Sequence, residues 1–103
     1  MLKVGGIWVS PFEVEEALIG HPAVLESAVV GHPDADGLIK PKAFVVLQQS
    51  AVGEDRMVLT GLLQEHVKQR IGAWKYPRWI EFHEALPKTA TGKIQRYKLR
   101  ENA

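Results

Sequence analysis

The chain has 103 residues, a length that allows one small domain with a single modest core. Its composition is 46% hydrophobic and 24% charged, which is typical of a globular fold and argues against disorder. A net charge of +1 gives no reason to expect nucleic-acid binding, and the absence of cysteine excludes disulfides, thiolate metal sites and thiol catalysis. No segment is long and apolar enough to span a bilayer, so we expect a cytoplasmic protein without nucleic-acid or membrane partners.

The N-terminal segment predicts a short β-hairpin followed by a helix. Gly5 and Gly6 lie between short runs of β-forming residues, which favours a tight turn. The segment Ser10-Pro11-Phe12-Glu13 then favours a helix start in which the serine is the N-cap and the glutamate completes a capping box. Gly20 is the predicted end of this helix.

The remaining elements predict an α+β fold. Two valine-rich strands should pair antiparallel, because their connection is too short for a helical crossover. A longer helix, a third strand, an exposed loop and a short terminal helix follow. The predicted strands cover 24–31, 42–47 and 79–82, the loop covers 86–93, and the helices cover 59–71 and 95–101. The fold class is therefore a small antiparallel or mixed sheet of about three strands, flanked by helices and preceded by the hairpin.

The C-terminal tail is the most distinctive local feature. Between Leu86 and Arg100 it has five basic residues and no acidic one. Thr91 and Gly92, directly before Lys93, predict a flexible backbone that can approach a ligand closely. The residues alone favour a solvated basic surface over a binding site, because charge runs are usually solvated. The spacing also excludes a Walker-type phosphate loop, which needs a glycine five residues before the Gly-Lys pair and a hydroxyl residue after it.

Two motifs resemble those of acyl-CoA synthetases and related adenylate-forming enzymes. The tail Pro87-Lys88-Thr89-x-Thr91-Gly92-Lys93-Ile94-x-Arg96 is similar to the last core motif of that family. The segment Lys3-x-x-Gly6-x-x-Val9-x-Pro11-x-Glu13-Val14-Glu15 is similar to the motif that opens the family's C-terminal domain, and the two lie about 80 residues apart, as in the family. Residues 4–15 and 36–44 most resemble benzoate–CoA ligases. The resemblance identifies residues 1–103 as a mobile C-terminal domain whose large N-terminal domain lies outside the chain.

The resemblance implies an enzyme with two half-reactions. A carboxylic acid attacks ATP, with Mg²⁺ bound mainly by the large domain, and CoA then displaces AMP to give a thioester. The small domain rotates between the steps. In the first orientation Lys93 should bridge the acid carboxylate and the α-phosphate. In the second, Gly5 and Gly6 should replace Lys93 and lie against the pantetheine arm of CoA, although two glycines also simply make a tight turn.

The segment 74–78 is the candidate contact for the nucleotide end of CoA. By the resemblance, Trp74 should stack on the adenine, and Lys75 and Arg78 should bind phosphate. The alternative is that Trp74 and Trp79 are core aromatics at the end of a helix.

Other interpretations also remain. The chain could serve a relative that passes its acyl group to a carrier protein, or it could be a stand-alone module that binds an anionic partner. As a detached domain it should have little or no ligase activity. No metal site is predicted, because the four histidines are scattered without ligand spacing. His66 is expected to be a packing or surface residue, and Asp34 and Asp36 to make local hydrogen bonds in a turn.

Overall fold

The computed structural model describes residues 2–4 and 7–101 of the chain. The predicted order of elements is confirmed. They are β1 (Leu2–Val4), β2 (Ile7–Val9), α1 (Pro11–Ile19), β3 (Val24–Pro33), β4 (Ile39–Leu47), a 3₁₀ turn (Gln49–Ala51), α2 (Arg56–Ile71), β5 (Trp79–Phe82) and α3 (Arg96–Glu101). Among these described helices, none combines the length and apolar character needed to cross a bilayer.

A mixed three-stranded sheet forms the centre of the domain, in the order β3-β4-β5. β3 and β4 are antiparallel, with Ala28 opposite Phe44, whereas β5 runs parallel to β4, with Ala43 opposite Ile80. The predicted α+β class is therefore confirmed. β3 and β4 are longer than predicted, because their pairing continues to Pro33 opposite Ile39.

β1 and β2 form a separate antiparallel pair in which Lys3 lies opposite Trp8. The two strands of the predicted hairpin are thus confirmed. Gly5 and Gly6, the predicted turn, lie outside the described residues.

Each face of the main sheet carries its own apolar cluster, because successive side chains of a strand point to opposite faces. The helical face holds the larger cluster, in which α1 and α2 pack on strand residues such as Val29 and Val45. The opposite face holds a smaller cluster around Phe44, which is 1% exposed. Its other buried members are Ala28, Val30, Val46, Leu86 and Leu99.

The start of α1 differs from the prediction. Ser10 occupies the N-cap position with an extended backbone, but its side chain makes no capping hydrogen bond. Glu13 is also engaged elsewhere, because its carboxylate binds the ammonium of Lys75. The predicted capping box is therefore wrong: a charged partner 62 residues away holds the glutamate. The helix does end at Gly20, as predicted.

α2 begins three residues earlier than predicted, at Arg56. Asp55 is its N-cap, and Asp55 Oδ1 accepts hydrogen bonds from the backbone N–H groups of Met57 (2.8 Å) and Val58 (3.1 Å). The helix ends at Gly72, whose φ of +118° favours glycine.

Candidate functional site

Residues 87–95 form a closed turn, here called the lysine finger, that carries Lys93. Lys88 and Ile94 face each other in an antiparallel bridge. The backbone N–H of Thr89 donates to the carbonyl of Lys93 (2.8 Å), and Gln95 N–H donates to the Pro87 carbonyl (2.8 Å). The segment is thus an ordered hairpin-like turn. The predicted exposure of Lys93 is confirmed, and the hydrogen bonds that close the loop were not foreseen from the sequence.

Gly92 shapes the tip of the finger. Its φ is +88°, in the left-handed region, and its N–H donates to the Thr89 carbonyl (2.9 Å). A Cβ added at Gly92 would meet no heavy atom within 4 Å. The glycine is therefore required by backbone conformation and not by lack of space.

The side chain of Thr89 also faces the inside of the finger. Thr89 Oγ1 accepts a hydrogen bond from the backbone N–H of Lys93 (3.1 Å) and lies 3.0 Å from Thr91 Oγ1. Thr89 therefore contacts both backbone polar groups of Lys93, one through its own backbone and one through its hydroxyl.

The base of the finger is anchored in the smaller apolar cluster. Leu86 is buried just before the finger, Ile94 packs against the cluster at its end, and Leu99 follows on α3. The ammonium of Lys88 forms a salt bridge with Glu26 on β3. The finger is thus held to the sheet by apolar and ionic contacts.

A buried ion pair ties α3, directly after the finger, to α1. Arg96 Nε donates to Glu15 Oε1 (3.1 Å), and Arg96 Nη2 donates to Glu15 Oε2 (2.8 Å). The guanidinium also lies 4.8 Å from the ring centroid of Phe12. Burial raises the pKa of the Glu15 carboxyl, although Arg96 and the backbone N–H of Val29 oppose that shift. The sequence interpretation placed Arg96 in the basic tail and in the family-like motif, but it did not predict this pair.

The ammonium of Lys93 differs from its neighbours. Lys88 and Arg96 are paired with glutamates, so two of the five tail cations are neutralised inside the domain. Lys93 is exposed, and no carboxylate among residues 2–4 and 7–101 forms a salt bridge with it. The finger therefore presents one unneutralised ammonium on an ordered backbone.

Residues 74–78, here called the aromatic-basic loop, connect α2 to β5. Trp74 is 62% exposed, so the interpretation of Trp74 as a core aromatic is wrong. Arg78 lies 4.0 Å from the ring centroid of Tyr76, and its Nη1 donates to the carbonyls of Tyr76 (2.6 Å) and Trp74 (3.3 Å). Lys75 Nζ lies 3.0 Å from Glu13 Oε1. Both cations therefore hold the loop in place as well as carrying charge.

The two candidate regions are anchored on different parts of the domain. The aromatic-basic loop packs through Tyr76 against the helical-face cluster, whereas the lysine finger packs through Ile94 against the opposite cluster. Trp8, on β2, is a further exposed aromatic at 59%, with Lys3 Nζ 5.6 Å from its ring. The third predicted contact, Gly5 and Gly6, lies outside the described residues.

The histidines and turn carboxylates have local roles. His66 Nε2 lies 2.9 Å from the Ala17 carbonyl and joins α2 to α1, as expected for a packing residue. Asp34 Oδ1 accepts from the N–H groups of Asp36 (2.9 Å) and Leu38 (3.0 Å), which confirms the local turn bonds. In the part of the chain that the structure describes, no group of three or more His, Cys, Asp or Glu side chains could hold a metal ion.

The fold and the finger define a class of protein. Residues 13–93 match the family model described as the AMP-binding enzyme C-terminal domain, and the chain belongs to that family. It is 63% identical over 101 residues to the benzoate–CoA ligase of Thauera aromatica, covering 97% of this chain and 19% of the relative. It is 59% identical over 101 residues to a 4-hydroxybenzoate–CoA/benzoate–CoA ligase of Rhodopseudomonas palustris, covering 98% and 19%.

A solved structure gives the same assignment. An anthranilate CoA ligase in complex with anthranoyl-AMP superposes with a TM-score of 0.89 at 57% identity, covering all of this chain and 20% of that one. The resemblance to benzoate–CoA ligases seen in the sequence is confirmed. The chain spans about a fifth of the length of the curated relatives it matches.

Proposed function

We propose that the chain is the mobile C-terminal domain of an AMP-forming acid–CoA ligase, working against a large N-terminal domain of the same enzyme. Family membership and the names of the relatives, which are benzoate or anthranilate CoA ligases, support this function. The enzyme joins a carboxylic acid to AMP, releases pyrophosphate, and transfers the acyl group to CoA. An aromatic acid of the benzoate type fits these relatives.

The observation that carries the proposal is the charge on the lysine finger. Lys93 is an exposed ammonium without a carboxylate partner among the described residues, on a backbone closed by hydrogen bonds. Neighbouring Lys88 and Arg96 are both satisfied within the domain. This arrangement leaves the charge of Lys93 available for an anion supplied from outside the domain.

The chemistry of acid adenylation is accelerated by such a charge. A carboxylate approaches the α-phosphate of ATP, and the two anionic groups repel each other. An ammonium between them aligns the reactants and offsets the charge that develops in the transition state. Lys93 acts electrostatically in this scheme and forms no covalent intermediate.

The test is Lys93→Ala in the full-length enzyme, with the two half-reactions measured separately. We expect adenylation to fall by about two orders of magnitude or more, while transfer to CoA from supplied acyl-adenylate stays nearly unchanged. Lys40→Ala is the matched control, because it removes the same charge from a lysine paired with Asp34 in the β3–β4 turn. An equal loss in both half-reactions would refute the role of Lys93.

The aromatic-basic loop is the proposed contact for the nucleotide end of CoA. Trp74 offers an exposed ring for adenine, and aromatic rings stack on any base. Lys75 and Arg78 supply cations for phosphate, and both side chains are partly exposed. CoA phosphate can compete for Lys75, because a partly exposed ion pair such as Glu13–Lys75 contributes only a modest free energy.

Substitutions on both sides of that ion pair separate a binding role from a structural role. If Lys75 binds phosphate, Lys75→Met should raise the KM for CoA, and Glu13→Gln should leave it unchanged or lower it by releasing the ammonium. If Lys75 only holds the loop, both changes should raise the KM alike. An enzyme serving a carrier protein would show no dependence of free-CoA use on Lys75 or Arg78.

We assign the magnesium that accompanies ATP mainly to the large domain. Among the described residues, no group of three or more His, Cys, Asp or Glu side chains could hold it. Gly5 and Gly6 keep their proposed place beside the pantetheine arm. The cytoplasmic location and the lack of nucleic-acid partners remain predictions from composition.

A further inference from the structure

We propose that Thr89 is a positioning residue for Lys93, a role that rests on the proposed function of the lysine finger. Thr89 binds both backbone polar groups of Lys93: its N–H donates to the Lys93 carbonyl (2.8 Å), and its Oγ1 accepts from the Lys93 N–H (3.1 Å). Of these two hydrogen bonds, only the one that the Thr89 hydroxyl accepts can be removed by a side-chain substitution.

The rest of the finger supports a fixed geometry at Lys93. The Thr89 carbonyl accepts from Gly92 N–H (2.9 Å), so the residue just before Lys93 is also bound to Thr89. Threonine has a restricted χ1 because it is branched at Cβ, which suits a hydroxyl that must stay in one place. With its backbone fixed, Lys93 loses less freedom when its ammonium reaches the reacting groups, since only its own side-chain torsions remain to be ordered.

Thr91 provides a matched control in the same finger. Its hydroxyl lies 3.0 Å from Thr89 Oγ1, and Thr91 is exposed. No hydrogen bond joins the Thr91 side chain to Lys93 among the described contacts of the finger. Thr89→Val and Thr91→Val therefore make the same chemical change, but only the first removes a bond to the Lys93 backbone.

Kinetics in the full-length enzyme test this role. Thr89→Val should lower kcat for adenylation by about tenfold with little change in the KM for acid or ATP, since misplacing a reacting group affects the transition state most. Thr91→Val should stay within about twofold of the parent, and Thr89→Ser, which keeps the hydroxyl, should recover most of the rate. Transfer from supplied acyl-adenylate should be unaffected by all three.

A double substitution separates positioning from general structural support. In a Lys93→Ala background, Thr89→Val should cause no further loss of adenylation, because there is no ammonium left to position. A further tenfold loss in that background would overturn the proposal. Equal effects of Thr89→Val and Thr91→Val would also overturn it.

Amide hydrogen exchange of the 103-residue chain gives a readout that does not depend on activity. The Lys93 amide should exchange faster in Thr89→Val than in the parent and should be unchanged in Thr91→Val. An unchanged exchange rate of the Lys93 amide in Thr89→Val would refute the hydrogen bond between the Lys93 N–H and the Thr89 hydroxyl. If Lys93→Ala leaves adenylation intact, the proposed function fails, and the exchange data still decide the geometry separately.

Discussion

Replacing Arg96 by methionine would leave a buried carboxylate without its cation. Methionine keeps an unbranched apolar stem to pack over Phe12, so the main change is the loss of charge beside Glu15. Glu15 is 5% exposed. Breaking a buried ion pair from one side costs about 3–5 kcal/mol of folding free energy. We expect about 3 kcal/mol at neutral pH, the low end, because the Arg96 side chain is itself 25% exposed.

The loss of folding free energy caused by Arg96→Met should depend on pH in a defined direction. The pKa of Glu15 is raised in the folded state because burial outweighs Arg96. A group whose pKa is higher in the folded state contributes stability at pH values below its unfolded pKa, which is about 4.3 for glutamate. That contribution is lost as the pH rises through the folded pKa. Removing Arg96 should raise the pKa of Glu15 further. The penalty of Arg96→Met should therefore be largest near neutral pH and should shrink as the pH falls toward about 5.

Urea unfolding of the 103-residue chain at about pH 7.5 and about pH 5 measures this effect. With a slope of about 1.5–2 kcal/mol per molar, a loss of about 3 kcal/mol lowers the midpoint by about 1.5–2 M. Arg100→Met, which removes an exposed cation from the same helix, is the control and should cost less than about 0.5 kcal/mol. Glu15→Leu combined with Arg96→Met should recover most of the loss. A penalty below about 1 kcal/mol, or one equal at both pH values, would refute the reasoning.

Three further substitutions test local features by urea unfolding. Gly61→Ala should stabilise the chain by about 0.5–1 kcal/mol, because Gly61 lies inside α2 with open space at its Cβ position; destabilisation would show that the added methyl does not fit. Gly92→Ala should cost about 1–2 kcal/mol from its positive φ, and no cost would mean that the turn relaxes. Asp55→Ala should cost about 1 kcal/mol through loss of the α2 N-cap, whereas Asp55→Asn should retain most of the stability; equal losses would argue against capping.

Most of the fold could be predicted from local patterns. Valine-rich runs identified β3 and β4, alternating apolar residues identified β5, and the helical periodicity of α2 identified the helix that packs on one sheet face. The strand ends were less predictable. The predicted strands ended at residue 31 and began at residue 42, yet the ladder extends through Gly31 opposite Pro41 to a last pair of Pro33 opposite Ile39.

The long-range ionic contacts could not be predicted from local sequence. The Ser-x-x-Glu pattern at Ser10 fits a capping box, but the fold brings Lys75 to Glu13, and the stronger charged partner takes the carboxylate. Glu15 and Arg96 are 81 residues apart. Their opposite charges within the two family-like motifs were a signal in retrospect, although the pair meets only because α1 and α3 both pack on β3.

The candidate site could be predicted from the sequence only in part. Lys93 was identified by resemblance to a family motif, and the family is confirmed. The hydrogen bonds that close its loop were missed, because glycine and threonine residues suggest flexibility when read singly. Their hydrogen bonds to one another, through Thr89 and Gly92, appear only in three dimensions.

The two apolar clusters on opposite faces of the sheet have a consequence for how this domain can change over time. The lysine finger stands on the smaller cluster, around Phe44, while most helical packing occurs on the other face. Substitutions at Leu63 or Val67 alter helix packing on that larger side, and volume-conserving changes there are tolerated best. A change on the helical side can therefore reach the lysine finger through β3 and β4, the strands that contribute side chains to both clusters.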